Sequence, residues 1–201
     1  MNNTFLDFIQ NRRTIYGLSN SAPVPDSQIQ GIIETAVRHT PSAFNSQTAR
    51  VVLLLGNEHL KFWNEVVLGA LQKIVPVDHF APTEAKIKSF ADGYGTILFF
   101  EEQTTVHELQ EKFPMYADNF PVWSLESSGM LQFVIWTALE NEGFGASLQH
   151  YNPIIDEQVL ASWNLSRTWK LLAQMPFGKP TTPADPNKSY LPIETRVKVF
   201  K

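Results

Sequence analysis

The stretch DNFPVWSLESSGMLQFVIWTALENE, Asp118 to Glu142, constrains the fold more than any other part of this chain. It reads as one long helix, and from Met130 to Leu139 it is apolar on nearly every face. Such a helix has no side to give to water and needs cover all round. In a chain of 201 residues the cover is either the centre of the domain or a second subunit, and the interface is the favoured reading. The helix leaves through EGFGASLQHYNP, Glu142 to Pro153, where Gly143 suits a helix C-cap and the glycines let backbone approach a ligand.

RVVLLLGN (Arg50 to Asn57) and GTILFFEE (Gly95 to Glu102) are short continuous apolar runs, the pattern of strands covered on both faces, and mark the centre of a sheet. Residues 58–92 read as mostly helical, interrupted near IVPVDHFAPT by two prolines. Phe5, Leu6, Phe8 and Ile9 form the apolar side of a short helix, and Asp26 suits the N-cap of a second helix that Pro41 closes. WKLLAQMPFG (Trp169 to Gly178) is a further strand, followed by Pro-rich turns, and the alternating RVKVFK predicts a short terminal strand. No repeat or linker divides the chain, so one α+β domain over residues 1–201 is expected, with helices around the sheet.

A formal charge of −4 gives no general reason to bind nucleic acid or an anionic membrane, so any phosphate must be met locally. The absence of cysteine removes disulfides, thiolate nucleophiles and thiolate metal sites. Five scattered histidines lack ligand spacing, so no metal is expected, and no serine motif suggests a nucleophile. The N-terminal residues lack a basic region followed by a long apolar run, and no window reaches the length of a membrane span; a cytoplasmic protein is expected. Glu101 and Glu102, at a strand end, read as a solvated edge.

Two places carry polar groups suited to a ligand. In NRRTIYGL, Arg12, Arg13 and Thr14 combine forked guanidinium donors with a hydroxyl, which suits a phosphate ester; the same triplet also fits the solvated end of a helix. In PSAFNSQ, Asn45 and Gln47 carry donor and acceptor together and can read the edge of a heterocycle such as a flavin pyrimidine, or simply make the turn. Tyr116, Phe120 and Trp123, spaced along a helix start, either stack on a planar substrate or pack in a dimer core.

Taken in order, NRRTIYGL, PSAFNSQ, GYGTILFFEE, YADNFPVWS, GFGASLQHYNP and RVKVF resemble the nitroreductase family of FMN-dependent oxidoreductases nearly end to end. RRTIY, NSQT, LQHYNP, and WNL with WKL, resemble its short stress-associated branch of bacteria and fungi. The resemblance implies a nitroreductase-like α+β fold around a mostly antiparallel sheet and an intertwined homodimer with FMN between the subunits. It places Arg12, Arg13 and Thr14 at the phosphate and ribityl end of FMN, and Asn45 and Gln47 beside the isoalloxazine ring. Leu148, Gln149 and His150 would offer mainly backbone near the redox-active edge. Relatives use a basic residue near the C-terminus against the phosphate; here Lys188 or Arg196 fills that place, with Arg196 preferred at the predicted strand start. The implied chemistry is ping-pong transfer of electrons from NAD(P)H to nitroaromatic or quinone acceptors. No side chain is then the catalyst, because flavin N5 carries the reaction. A flavin-binding sensor or regulator in stress or lipid signalling, with incidental reductase activity, is the alternative.

Overall fold

A computed structural model describes residues 4–201. Its sheet has the order β1 (Leu18–Ser19), β5 (Trp169–Pro180), β3 (Gly95–Glu102), β2 (Ala49–Leu55), with β4 (Gly145–Ala146) also on β5 and every pairing antiparallel. β3 is buried from Gly95 to Glu101 because its alternate side chains enter two cores: Leu98 and Phe100 on one face, Ile97 and Phe99 on the other. That is the physical meaning of its unbroken apolar run. β2 was expected beside it at the centre of the sheet, but forms the edge. Helices cover both of its faces, so its residue pattern matches a central strand while one side of its backbone stays unpaired.

The first core packs α3 (Gly56–Lys61), a π-helical stretch at Phe62–Val67, α4 (Leu68–Leu71), α5 (Phe80–Ala91) and α8 (Asp156–Ser162) against the sheet. Inside it the Thr96 hydroxyl is shared by His59 Nδ1 at 2.8 Å and Trp63 Nε1 at 2.7 Å, so His59 is a core residue whose pKa is lowered by burial. The second core lies under α2 (Asp26–His39) and α7 (Asn119–Asn141). Asp26 is the first residue of α2, with Pro25 as its N-cap; the Asp26 carboxylate instead accepts from the Tyr94 hydroxyl.

α7 fills the predicted span. Leu131, Ile135 and Leu139 face the sheet, while Met130, Phe133 and Val134 are open on the other side. It ends in a Schellman motif: Gly143, at φ +86°, donates to Glu140 O, and Phe144 donates to Leu139 O. α1 (Phe5–Asn11), held by a capping box between Thr4 and Asp7, contacts α7 and leaves Phe5 and Leu6 exposed. α6 (Gln103–Lys112) links β3 to the approach to α7.

The expected terminal strand is absent among the described residues. After β5 the chain is irregular apart from a 3₁₀ turn at Ile193–Thr195, and Val197, Val199 and Phe200 are exposed, the last at 92 %. A strand needs a neighbouring edge to complete its hydrogen bonds, and no strand among the described residues pairs with these residues. No helix among the described residues is long and apolar enough to cross a membrane, and no group of potential ligands for a metal ion occurs among them.

Candidate functional site

The chain leaves α1 directly into Arg12 and Arg13, and Thr14 bridges to Ala146 beside the exit from α7. The segment after β5 folds back over it, with Thr181 N–H donating to Gly17 O. Arg13 Nη2 donates to the Asp185 carbonyl at 2.6 Å. Arg12, Arg13, Thr14 and Lys188 thereby line one cavity of about 490 Å³, with Asp185 also in its wall. None of the three cations has a salt bridge: the ion pair among the described residues is Lys88–Asp92. Arg12 lies over the Trp136 ring at 4.4 Å, with its Nε buried and without a hydrogen-bond partner. Burial, then the Arg13 charge, lower its pKa from the ordinary arginine value, and Glu140 opposes them. Arg196, preferred in the sequence, caps the 3₁₀ turn and does not line this cavity; Lys188 does.

Asn45 and Gln47 are exposed and line a different cavity, of about 570 Å³, whose walls come from α2, the loop 40–48, β2 and α7. The loop is wound unusually: Phe44, Asn45 and Gln47 all have left-handed backbone, at φ 58°, 52° and 49°. Each such residue costs about 1–3 kcal/mol and is kept only where its surroundings hold it. Ser42 Oγ accepts from Gln47 N–H at 3.0 Å, and Arg50 Nη1 donates to Gln47 O at 2.8 Å.

Phe44 is the residue that sequence reasoning passed over. Its ring sits 5.4 Å from Phe120 and 6.0 Å from Trp123, the latter nearly parallel at 22°, with Phe113 at 5.0 Å and Tyr116 at 6.4 Å. The three predicted aromatics therefore do gather, around a fourth ring on the carboxamide loop. Its presence within PSAFNSQ was the available signal, but nothing in the spacing told that it turns toward α7.

In the segment after α7, Gln149 exchanges backbone hydrogen bonds with Gln174 of β5 at 2.7 and 2.9 Å, so its main chain is occupied. The N–H groups of Leu148 and His150 have no partner among the described residues. Alternate residues of an extended segment point their N–H groups to opposite sides, so these two are the free donors.

The pair Glu101 and Glu102 is not a solvated edge. Glu101 is 1 % exposed and accepts from Ser124 Oγ of α7 at 2.6 Å. Burial raises its pKa above the usual carboxylate range, against the Ser124 and Thr48 hydroxyls and the Arg50 charge. Glu102 is the outward partner, bonded to Thr104 N–H and Thr168 Oγ1. The pleat of β3 sets this: successive side chains go to opposite faces, and Glu101, on the face of Ile97 and Phe99, turns under α7.

The profile of the nitroreductase family matches residues 9–179. The chain belongs to the nitroreductase family. This nitroreductase is 35 % identical to HBN1 of Saccharomyces cerevisiae over 199 residues, which span 98 % of this chain and 97 % of HBN1. It is 44 % identical to nitroreductase CinD of Lactococcus lactis, solved with chloramphenicol and separately with 4-nitrophenol, at a TM-score of 0.90 over 98 % of this chain and 100 % of CinD. A protein of Desulfovibrio desulfuricans solved in complex with FMN shares the fold at a TM-score of 0.69 and 17 % identity, each chain covered in full. The nitroreductase is thus an oxidoreductase built on the α+β fold described above, with an antiparallel sheet between helical layers.

Proposed function

We propose that this nitroreductase is a cytoplasmic, single-domain, FMN-dependent oxidoreductase that moves electrons from NAD(P)H to nitroaromatic or quinone acceptors. The observation that carries the reading is the meeting of Arg12, Arg13 and Lys188 in one cavity, where none of them forms a salt bridge and Asp185 is the one acidic residue of the wall. Three cations against one carboxylate leave an excess of positive charge beside a hydroxyl, and a phosphate monoester would meet it. The FMN complex of the Desulfovibrio desulfuricans protein and the nitroaromatic complexes of CinD support the same reading.

Bound FMN would supply a ring that accepts a hydride from NAD(P)H and passes electrons to the acceptor in a second half-reaction. The chain's own part is position and electrostatics. Arg12, Arg13, Thr14 and Lys188 would hold the phosphate, while Asn45 and Gln47 would face the ring with paired donors and acceptors. The free N–H groups of Leu148 and His150 are suited to a ring edge that gains negative charge. Phe44, Tyr116, Phe120 and Trp123 would offer an apolar wall on which a planar acceptor stacks.

A homodimer belongs to the same proposal. Met130, Phe133 and Val134 of α7, with Phe5 and Leu6, leave a broad apolar face open. The cation cavity and the carboxamide cavity share no lining residue, which fits a ring held between two chains.

The first experiment is an absorption spectrum of the purified protein and identification of any chromophore released by heat, followed by NAD(P)H oxidation with and without 4-nitrophenol or a benzoquinone. About one FMN per chain with acceptor-dependent turnover is the expected result. A protein that takes up no added FMN refutes the proposal, and one that binds FMN but reduces it negligibly transfers the reading to a flavin-dependent regulator.

A further inference from the structure

Glu101 is a buried carboxyl that the chemistry above does not use. Its Oε2 is held by Ser124, whereas its Oε1 and the Thr48 hydroxyl are both buried without a hydrogen-bond partner. Each of those neighbours is next in sequence to a residue of the ring-facing region. Thr48 follows Gln47, and the Glu102 N–H donates to Thr48 O at 2.9 Å, fixing the strand end against the loop. Ser124 follows Trp123, whose ring stacks on Phe44 of that same loop. The charged groups beside Glu101 are Arg50 on β2 and Lys170, paired with it in register on β5.

We propose that Glu101 is a positioning residue for flavin: it ties the left-handed loop 42–48 to the head of α7, so that Asn45 and Gln47 hold one geometry toward the ring. The role rests on the FMN reading. Protonated, the carboxyl is both donor and acceptor and completes the contacts to Thr48 and Ser124 together. Burial favours that form, while the two hydroxyls and Arg50 favour the ionised one.

The test compares wild type, Glu101→Gln, Glu101→Ala and Ser124→Ala by two readouts: hydrogen exchange of residues 42–50 in the flavin-free protein, and FMN affinity by quenching of flavin fluorescence. Glu101→Ala should speed exchange in this segment and weaken FMN binding about tenfold, the size expected when a buried polar contact is lost. Glu101→Gln should restore both, because the carboxamide also donates and accepts. Ser124→Ala, which keeps the carboxyl, should show a smaller loss of the same kind and serves if Glu101→Ala does not fold. Unchanged exchange in both truncated variants overturns the tie, and faster exchange with unchanged FMN affinity overturns the positioning role. A Gln variant as impaired as the Ala variant also overturns it. Wild type that binds no FMN is recognised before any variant is compared, and refutes the flavin reading on which the role depends.

Discussion

Lys188 reaches the cation cavity from the far end of the chain, and truncating it separates a phosphate site from a merely basic surface. A monoanionic contact at roughly 4 Å is worth about 4 kcal/mol at an effective dielectric constant of about 20. Loss of hydration in forming the contact reduces this to the range of about 1.5–3 kcal/mol measured for hydrogen bonds to charged groups. Lys188→Ala should therefore weaken FMN binding roughly tenfold to a hundredfold. Lys188 is exposed, with its Nζ 5.2 Å from the Tyr190 ring, so its removal leaves the core intact. Arg12 is a poorer choice, because its packing on Trp136 would be lost with its charge. Riboflavin, which lacks the phosphate, supplies the control. Fluorescence titrations should show riboflavin affinity unchanged within about twofold in Lys188→Ala, and both ligands unaffected to that extent by Arg196→Ala. Rising salt should narrow the difference between wild type and Lys188→Ala for FMN. Equal weakening of FMN and riboflavin, or a larger loss from Arg196→Ala, would refute the assignment of Lys188 to the phosphate.

The Glu101 pKa is raised in the folded chain, so its contribution favours folding at pH below the unfolded value of about 4.3 and is lost as pH rises through the folded value. Thermal melts from pH 4 upward should show wild type losing stability relative to Glu101→Gln, and a constant difference would contradict a pKa raised by burial. At Gly178 an added Cβ would collide with Ser19 O and meet Tyr94 N at 2.9 Å, both backbone atoms. Gly178→Ala should cost about 1–3 kcal/mol and lower Tm by roughly 2–12 °C, measured by calorimetry. Sedimentation should give twice the chain mass for wild type and the single-chain mass for Val134→Glu, with FMN retention falling alongside; a monomeric wild type would remove the dimer from the proposal.

Local patterns carried much of the molecule. The span of α7, the Gly143 cap, the strand character of 95–102 and 169–178 and the grouping of Tyr116, Phe120 and Trp123 all depend on periodicity or backbone chemistry that a window of sequence contains. RRT and NSQ were visible as polar groups suited to a ligand for the same reason, since residue type alone fixes their donors and acceptors.

Other features arise only when distant segments meet. Lys188 joins Arg12 and Arg13 because the post-β5 segment folds back over residues 12–17, and Arg196, better placed by local pattern, is left outside. β2 is an edge because of the order in which strands pair, which apolar composition does not encode. RVKVF alternates like a strand yet stays unpaired, since a ladder belongs to two segments and not to one. Glu101 was invisible as a buried group because its burial is made by α7 passing over the end of β3, more than twenty residues later in the chain. The long helix, its glycine cap, the two long apolar strands at 95–102 and 169–178 and the polar groups available to a ligand were legible because each follows from neighbours along the backbone. Tertiary structure decided which cations share a cavity, which carboxyl is buried and how Phe44 closes the aromatic wall, because each depends on contacts between residues far apart in the chain.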